Sequence, residues 1–439
     1  MANTIQTNMN FVISDTENHI VMDGGTFKNS LGGNRFTLAP IFNAMRISSG
    51  NINHNLFKVN TFTKDSKPEK YIIPLGVHND PHNWGGGGSS NHDNYESLFD
   101  LLDDDYLTDL KNEKALLLVD SSFEGYHDDW IFEFFHKECK ERKINPTHII
   151  FVTGNSIVET CYENWLINNP HPKHIKVVPY SHFEFDTYLL SNDLPPGNKN
   201  FPPTFDDHIK YKNNNDIVSF CNLNKKPRRH RINFYSLLHR NNLLKDGLVS
   251  MNTFHESVEF CDYQLSHSET EKIKETLPSL IYDKSNEAHD PNYYVTRFND
   301  KVCLDSYFSV ISEAQYEDTQ NTIFLSEKIF KVMMCSHPFM VLGNKNSLTE
   351  LKKLGYKTFD KWIDESYDAS SDCERFEKII DNLKKIISID DKLSWFKEME
   401  EVLVHNRNQI KINTTKNISY AFQSVYDHFV KINQKSNLI

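Results

Sequence analysis

The segment from residue 324 to residue 343 most constrains what this chain can fold into. Ser326 is a favourable helix N-cap, and apolar residues follow it at helical spacing over the next two turns. A run of four apolar residues, 339–342, is closed by Gly343, which is typical of a buried parallel strand. A capping box at 347–350 then opens another short helix. Helices and strands in this order indicate half of a doubly wound α/β sheet.

An acid and a base, Glu327 and Lys328, lie side by side where this helix is predicted to begin. A helix N-terminus carries unpaired N–H groups and roughly half a positive elementary charge, so it attracts anions. Lys328 would add a point charge for a diphosphate, whereas Glu327 would repel phosphate and accept hydrogen bonds from a ribose diol. We interpret Ser326, Glu327 and Lys328 as a nucleotide-diphosphate site. The alternative is an ordinary acidic first turn beside a solvated lysine.

Length, charge and missing motifs exclude several classes of protein. A chain of 439 residues exceeds what one hydrophobic core usually holds, so two domains are expected. The net charge of −12 argues against a protein that coats nucleic acid electrostatically. The sequence contains no GxSxG, HExxH, P-loop or GxGxxG motif. This absence weighs against hydrolases, zinc proteases, ATPases and NAD-dependent enzymes.

Cysteine usage and hydropathy indicate the compartment. Seven cysteines are scattered without a CxxC pair, which predicts reduced thiols rather than a disulfide framework or a zinc ribbon. The amino terminus lacks the pattern of a signal peptide. No apolar run reaches the roughly 18 residues needed to cross a bilayer. We therefore expect a protein without stable membrane insertion, located in the cytoplasm, or in the host cytoplasm if it is viral.

Strands and helices alternate in two stretches of the chain, as in α/β domains. The first stretch has predicted strands at 115–120, 148–152 and 175–179 and an amphipathic helix at 130–142. The second has predicted strands at 217–220, 247–250, 307–311 and 339–342. Between them, proline pairs and polar residues with little periodicity indicate a linker. The predicted organisation is a first α/β domain (1–190), a linker (191–215), a second α/β domain (216–400) and C-terminal helices (401–439) that can pack back on the first domain.

A basic run, residues 225–231, follows the first predicted strand of the second domain, and Asn222 lies between that strand and the run. Arg228 and Arg231 are three residues apart on one predicted helical face, so both can contact one ligand. The position suits a diphosphate at the carboxyl end of a strand. A solvated basic patch, a localisation signal or a nucleic-acid contact are the alternatives.

Candidate general bases lie in the first domain. Asp120 ends an apolar strand and Glu124 follows it in a loop, where a carboxylate can deprotonate a hydroxyl acceptor. Such a carboxylate can equally cap the next turn, and Glu124 is the better candidate because turn N–H groups can occupy Asp120. His82 belongs to a polar loop at 78–82 with alternating possible metal ligands. No fourth ligand is evident, so no metal site is predicted there.

The pattern of Glu313, residues 324–328, residues 337–339 and residues 342–343 resembles the donor-binding region of GT-B glycosyltransferases. It is most similar to fucosyltransferase-like enzymes with a [TS]-E-K core. Uncharacterised phage and bacterial glycosyltransferase-like proteins share its continuation toward residue 368. The resemblance covers roughly residues 219–368. It implies two Rossmann-like doubly wound domains facing a cleft, with the acceptor on the first domain and the nucleotide sugar on the second.

The resemblance also implies roles for individual residues. Glu327 corresponds to a ribose contact and Lys328 to a pyrophosphate contact, in agreement with the charge argument. A basic residue after the first strand of the second domain faces the donor in this family, and Arg228 or Arg231 matches it. The complete set of expected donor-binding residues is Glu327, Lys328, Ser326, Arg228, Arg231, Asn222 and Glu313.

One departure from the family bears on mechanism. The E-x7-E pattern of many retaining enzymes is absent, because Thr319 stands eight positions before Glu327. This favours inverting, metal-independent displacement with a base from the first domain, for which Glu124, Asp120 and His82 are the candidates. We expect sugar transfer from a nucleotide-diphosphate donor, without another cofactor, to a hydroxyl of a glycan, a lipid-linked sugar or a modified phage DNA base. The alternatives are a non-catalytic nucleotide-sugar-binding module and a sugar-nucleotide epimerase.

Overall fold

A computed structural model describes residues 7–13, 36–38, 41–42, 44–45, 57–77, 97–123, 125, 129–193, 202–254, 267–279, 300–316 and 322–435. The chain divides into two compact units. Unit 1 comprises Met1–His182, Gln320–Phe324 and Thr415–Ile439, and unit 2 comprises Phe183–Thr319 and Leu325–Thr414. Each unit contains a mainly or wholly parallel sheet with helices, so the predicted α/β class is confirmed.

Unit 1 is built on a seven-stranded sheet. Its strands are β1 (Thr7–Ile13), β2 (Phe36–Leu38), β3 (Phe57–Thr63), β4 (Tyr71–Val77), β5 (Ala115–Ser121), β6 (Ile149–Thr153) and β7 (Lys176–Pro179). The order is β3-β1-β4-β5-β6-β7, all parallel, and β2 pairs antiparallel with β4. Its helices include α1 (Asp104–Lys111), α2 (Trp130–Arg142) and α3 (Val158–Asn168), with short 3-10 turns at Lys64–Ser66, Leu98–Leu101 and Pro146–His148.

The core of unit 1 follows the apolar patterns of the sequence. Every residue of β5 is buried, as is typical of a central strand in a parallel sheet. Helix α2 has the predicted bounds and buries Phe132 and Phe135 against the sheet. Strands β6 and β7 each lie one residue later than predicted at their amino ends. Hydrophobic periodicity therefore located these elements to within about a residue.

Unit 2 is built on a four-stranded parallel sheet. Its strands are β8 (Phe220–Leu223), β9 (Gly247–Ser250), β10 (Ser309–Ser312) and β11 (Phe339–Leu342), in the order β11-β10-β8-β9. Helices α4 to α13 are His182–Asp193, Phe205–Lys212, Arg229–Arg240, His267–Glu275, Asp300–Leu304, Glu327–Met334, Ser347–Lys353, Asp372–Ile387, Lys392–Lys397 and Glu400–Lys435, and 3-10 turns lie at Leu244–Asp246 and Glu365–Ala369. Strands β9 and β11 have the predicted bounds.

The segment interpreted as a linker contains helix α5 (Phe205–Lys212). Thr204 caps this helix, since its hydroxyl oxygen accepts the Asp207 N–H at 3.2 Å and the Asp207 carboxylate accepts the Thr204 N–H at 2.9 Å. The interpretation of the whole of 191–215 as linker is therefore wrong for this part. The preceding prolines concealed a capping box whose residues are visible in the sequence.

The long helix α13 contributes to both units. Its last part belongs to unit 1, where the Tyr420 hydroxyl donates to Glu159 at 2.7 Å. The ring Nε2 of His428 lies 2.7 Å from the Thr147 carbonyl oxygen. These contacts join the last part of α13 to helix α3 and to the turn at Pro146–His148.

Two further expectations concern thiols and membranes. Five described cysteines are free thiols: Cys139, Cys161, Cys221, Cys303 and Cys335. Cys373 is disulfide-bonded, which corrects the expectation that all cysteines are reduced. In the part of the chain that the structure describes, no helix is long and apolar enough to cross a membrane.

Residues 322–324 add a short antiparallel bridge to the first unit. The Ser156 N–H donates to the Ile323 carbonyl at 3.0 Å, and the Ile323 N–H donates to the Asn155 side-chain oxygen at 3.2 Å. The ring of Phe324 then lies directly against Gly154, where a Cβ would stand 2.6 Å from the ring edge. Glycine is needed here because of this close approach.

Gly154→Ala is expected to lower the free energy of unfolding by roughly 1–3 kcal/mol, the usual range for overpacking a filled site. The new methyl would meet the Phe324 ring at 2.6 Å and the Ser122 carbonyl oxygen at 2.8 Å, and the backbone oxygen cannot rotate away. Urea denaturation measures the change. Glu163→Ala, at an exposed position of α3, is the matched control. Equal stability of the two variants would show that the Phe324 contact is not tight.

Candidate functional site

The candidate site lies at the carboxyl edge of the unit 2 sheet. Strands β8, β10 and β11 are parallel neighbours, so their carboxyl ends meet at one edge. Hydrogen bonds bring two helix N-termini to the same edge. Helix α6 (Arg229–Arg240) reaches it through His230, and helix α9 (Glu327–Met334) reaches it through Ser326; both contact Glu313, the residue after β10.

Ser326 caps α9 as predicted and is held by a buried carboxylate. Its side-chain oxygen accepts the Lys328 N–H at 3.4 Å. Its own N–H donates to Oε1 of Glu313 at 3.2 Å, and its hydroxyl donates to Oε2 of the same residue. Burial raises the pKa of Glu313, while the Lys328 charge and the Ser326 hydrogen bonds act in the opposite direction. Glu313 therefore holds the start of α9 in position through these two hydrogen bonds.

Glu327 and Lys328 form an ion pair at this helix start. The Lys328 ammonium lies 2.7 Å from Oε1 of Glu327 and 3.2 Å from the Ser326 hydroxyl. Burial would raise the pKa of Glu327, but the charge and hydrogen bond of Lys328 outweigh it and hold that pKa below its ordinary value. The side chains remain 30% and 20% exposed for Lys328 and Glu327, so a ligand can reach both. The Glu327 carboxylate and the Lys328 cation thus lie together at a helix N-terminus, which carries a partial positive charge.

Arg228 and Arg231 reach the predicted edge, where each donates hydrogen bonds to the backbone. Arg231 donates through Nη2 to Ser312 O at 3.1 Å and to Glu313 O at 2.9 Å. Burial lowers its pKa to about 10. Arg228 donates to Ala314 O. Both arginines thus contact the chain after β10, and their joint binding of one ligand stays a prediction.

Asn222 is also occupied within the protein. Its amide nitrogen donates to Val310 O at 2.8 Å and to the Ser312 hydroxyl at 3.0 Å, and its oxygen accepts from the Asn224 amide at 2.6 Å. The side chain is fully buried. It links β8 to β10, and its expected role as a donor contact stays a prediction.

His230, read in the sequence as part of a basic run, is a buried neutral residue. Its Nε2 lies 3.0 Å from Glu313 O, and since a carbonyl only accepts, this nitrogen carries the hydrogen. The ring stacks on Tyr316 with centroids 5.3 Å apart. Burial, reinforced by the Arg231 charge, lowers the pKa of His230 to about 3.

The low pKa of His230 predicts acid sensitivity. In the unfolded chain this residue protonates near pH 6.5, whereas the folded chain excludes the proton until about pH 3, so the unfolded state binds more protons between these values. Stability should therefore be lost as pH falls from 6.5 toward 3, by up to about 1.4 kcal/mol per pH unit from this residue. Urea denaturation between pH 4 and 7 should show a shallower pH dependence for His230→Gln than for the wild type.

The control for this experiment is His174→Gln, at an exposed position of unit 1. Its pH dependence should follow the wild type. Equal slopes for the wild type and His230→Gln would mean that other groups account for the acid sensitivity.

Of the three candidate bases in the first domain, only Asp120 lies among the described residues. Glu124 and His82 lie outside the described residues. Asp120 is fully buried at the end of β5, where its oxygens accept the Ile41 N–H at 2.7 Å and the Ser122 N–H at 2.9 Å. Burial raises its pKa, and these hydrogen bonds act against the rise. The Asp120 carboxylate thus accepts backbone N–H groups at the end of β5, as in the turn-capping alternative, and its role as a base stays a prediction.

Arg375 supports the site and was missed in the sequence. It is 1% exposed, and its guanidinium donates to Gly343 O at 2.8 Å, Tyr316 O at 3.2 Å and Ser370 O at 3.0 Å. It thereby joins the chain after β10 to the chain after β11. The signal that could have revealed it is an arginine at the spacing of the apolar face of α11 (Asp372–Ile387).

The described ranges contain no group of three His, Cys, Asp or Glu side chains arranged to hold a metal ion.

Comparison with known proteins gave structural matches only. No protein family matches the chain, and no curated protein matches its sequence. It is similar to an alpha1,3-fucosyltransferase with GDP-fucose, at a TM-score of 0.39 and 9% identity over 95% of this chain and 92% of that chain. It is also similar to the trehalose-6-phosphate structure from E. coli bound with UDP-2-fluoro glucose, at a TM-score of 0.39 and 10% identity over 93% and 99%. These values are low, and the description of the fold rests on the two sheets above.

Proposed function

We propose that this chain is a glycosyltransferase that takes its sugar from a nucleotide-diphosphate donor bound to unit 2. The observation that carries the proposal is the start of α9, where an ionised Glu327 and the Lys328 cation stand on a capped helix N-terminus at the carboxyl edge of a parallel sheet. This combination suits a ligand with both hydroxyls and phosphates.

Each group has a role in the proposed chemistry. The N–H groups of α9 and the Lys328 ammonium bind the diphosphate, and Glu327 accepts hydrogen bonds from the ribose hydroxyls. The bond between the anomeric carbon and the diphosphate oxygen breaks, and its electron pair leaves with the diphosphate. Lys328 and the helix N-terminus stabilise this growing charge in the transition state.

The acceptor is proposed to be a hydroxyl of a glycan, a lipid-linked sugar or a modified DNA base. Its oxygen attacks the anomeric carbon directly, with inversion and without a metal ion, and its proton passes to a general base. The missing E-x7-E pattern before Glu327 supports direct displacement.

A thermal-shift screen with GDP-, UDP- and TDP-sugars tests donor binding. A ligand present at 100 times its Kd stabilises the native state by about 2.7 kcal/mol, which raises Tm by several degrees in a domain of this size. We expect at least one nucleotide-diphosphate sugar to give such a shift, and its free sugar to give none. No shift with any of them at millimolar concentration contradicts the proposal.

Measuring the release of free nucleoside diphosphate then distinguishes a transferase from a protein that only binds the donor. A transferase releases it faster when a suitable acceptor is present, whereas a binding module gives a thermal shift and no release.

A further inference from the structure

The buried carboxylate of Glu313 can act on a ligand only through the residues that it contacts, because the side chain is fully buried. The backbone that carries it is held by two neighbouring elements of unit 2. The Glu313 N–H donates to Leu342 O of β11 at 2.9 Å, and the Glu313 carbonyl accepts from Nη2 of Arg231 in α6 at 2.9 Å. The carboxylate is therefore attached to a part of the backbone with little freedom to move.

The direction of each hydrogen bond at Ser326 follows from the groups around its hydroxyl. A hydroxyl has one hydrogen to donate and two lone pairs that accept. The backbone N–H and the ammonium of Lys328 can only donate, and they lie 3.4 and 3.2 Å from the Ser326 oxygen, so they use both lone pairs. The hydroxyl hydrogen therefore points to Oε2 of Glu313. Since Oε1 accepts the Ser326 N–H at 3.2 Å, both carboxylate oxygens are acceptors.

These hydrogen bonds determine where the Lys328 ammonium lies. An ammonium has three N–H donors. Among the described residues, it donates to the Ser326 oxygen at 3.2 Å and to Oε1 of Glu327 at 2.7 Å. The lysine side chain is 30% exposed, so its remaining N–H can bind a ligand from solvent. The position of the cation thus depends on a Ser326 oxygen whose lone pairs are turned toward it.

We propose, on the basis of the donor site proposed above, that Glu313 is a positioning residue for recognition of the diphosphate. It takes the hydrogen of the Ser326 hydroxyl, so that the oxygen accepts from the Lys328 ammonium. The cation is thereby held at the N-terminus of α9 before a ligand arrives, and binding does not have to order it. Only a side chain whose two oxygens both accept can do this, which is why the residue is a carboxylate.

Glu313→Gln tests the proposal because the amide reverses one hydrogen bond. In one orientation its NH₂ group faces the Ser326 N–H, so two donors oppose each other. In the other it faces the Ser326 oxygen, which then has three donors for two lone pairs. The Lys328 ammonium is the partly exposed one of these donors and is the one expected to be displaced.

The measurement is calorimetric titration of the full chain with GDP, UDP, TDP, ADP and CDP. With the one that binds the wild type most tightly, we expect Glu313→Gln to weaken binding by about 3- to 30-fold, the range for a residue that acts through another. The corresponding nucleoside keeps the ribose hydroxyls and lacks the phosphates. Its Kd, measured by competition, should stay close to the wild-type value, whereas a merely structural defect would weaken both ligands.

Ser326→Ala and the variant that combines it with Glu313→Gln complete a double-mutant cycle. If Glu313 acts through the hydroxyl, Glu313→Gln lowers diphosphate affinity much less in the Ser326→Ala background than in the wild type. Circular dichroism and Tm establish that each variant is folded. Glu313→Asp replaces the glutamine variant if that does not fold, since a shorter side chain withdraws the carboxylate from Ser326 and should also weaken diphosphate binding.

Glu184→Gln is the matched control. Glu184 is another buried carboxylate of unit 2 that accepts from a hydroxyl, in this case that of Tyr356. Its substitution should leave diphosphate affinity unchanged, even if it lowers Tm.

Three results would overturn the role of Glu313 and leave the donor site intact. These are unchanged diphosphate affinity in Glu313→Gln, an equal loss of affinity for the nucleoside and the diphosphate, and an undiminished effect of Glu313→Gln in the Ser326→Ala background. A wild-type chain that binds none of the five nucleoside diphosphates at millimolar concentration would instead contradict the proposed donor site itself, and with it the role of Glu313.

Discussion

Arg375→Ala is expected to lower the free energy of unfolding by more than about 3 kcal/mol, the range for removing one partner of a buried charged network. The substitution leaves the carbonyls of Gly343, Tyr316 and Ser370 without their donor and opens a cavity where the guanidinium stacks 4.8 Å from the Tyr316 ring centre. Because Tyr316 and Gly343 follow β10 and β11, the loss should spread to the proposed donor site. Urea denaturation and soluble yield measure the effect.

Lys385→Ala is the matched control for this experiment. It removes an exposed cation from the same helix, α11, and should change stability by no more than about 0.5 kcal/mol. A similar small change in Arg375→Ala would mean that water replaces the guanidinium without loss. In that case the arginine would not organise the edge of the sheet.

Lys328→Ala is expected to weaken binding of the donor by roughly 10- to 100-fold, since a hydrogen bond to a charged group contributes about 1.5–3 kcal/mol. The variant loses the cation beside the diphosphate and leaves Glu327 without the ammonium that lies 2.7 Å from it. The uncompensated carboxylate would then repel the same phosphates. Calorimetric titration with the nucleotide-diphosphate sugar found in the screen measures the change in Kd.

Lys353→Ala is the control for the loss of one positive charge away from the proposed donor site. This exposed lysine pairs with Glu350 in α10. Its donor affinity should match the wild type. If Lys328→Ala also binds the donor with unchanged Kd, the assignment of Lys328 to the diphosphate is wrong.

The sequence predicted well those elements whose formation depends on local pattern. Helix α2 and strands β5 and β11 lie where apolar spacing placed them, because burial of one helical stripe or of a whole short strand is encoded in neighbouring residues. The capped start of α9 at Ser326 was predicted for the same reason. Local chemistry also signalled α5, through Thr204 and Asp207, although the prolines before it favoured a linker.

The sequence could not predict which polar side chains remain available to a ligand. Arg231 and Asn222 are residue types that often occur in binding sites. Both, however, donate hydrogen bonds to carbonyl oxygens of β10, some 80 residues further along the chain. Such partners depend on strand order and register, which no local window contains.

The three-part composition of unit 1 has a consequence for synthesis. Its sheet strands lie in the first segment, but Gln320–Phe324 and Thr415–Ile439 also belong to it. A chain made from its amino terminus therefore contains every residue of unit 2 before the last segment of unit 1 leaves the ribosome. Domains generally fold as units once their chain is available. Unit 1, whose synthesis begins first, is therefore the unit whose last residues are made last.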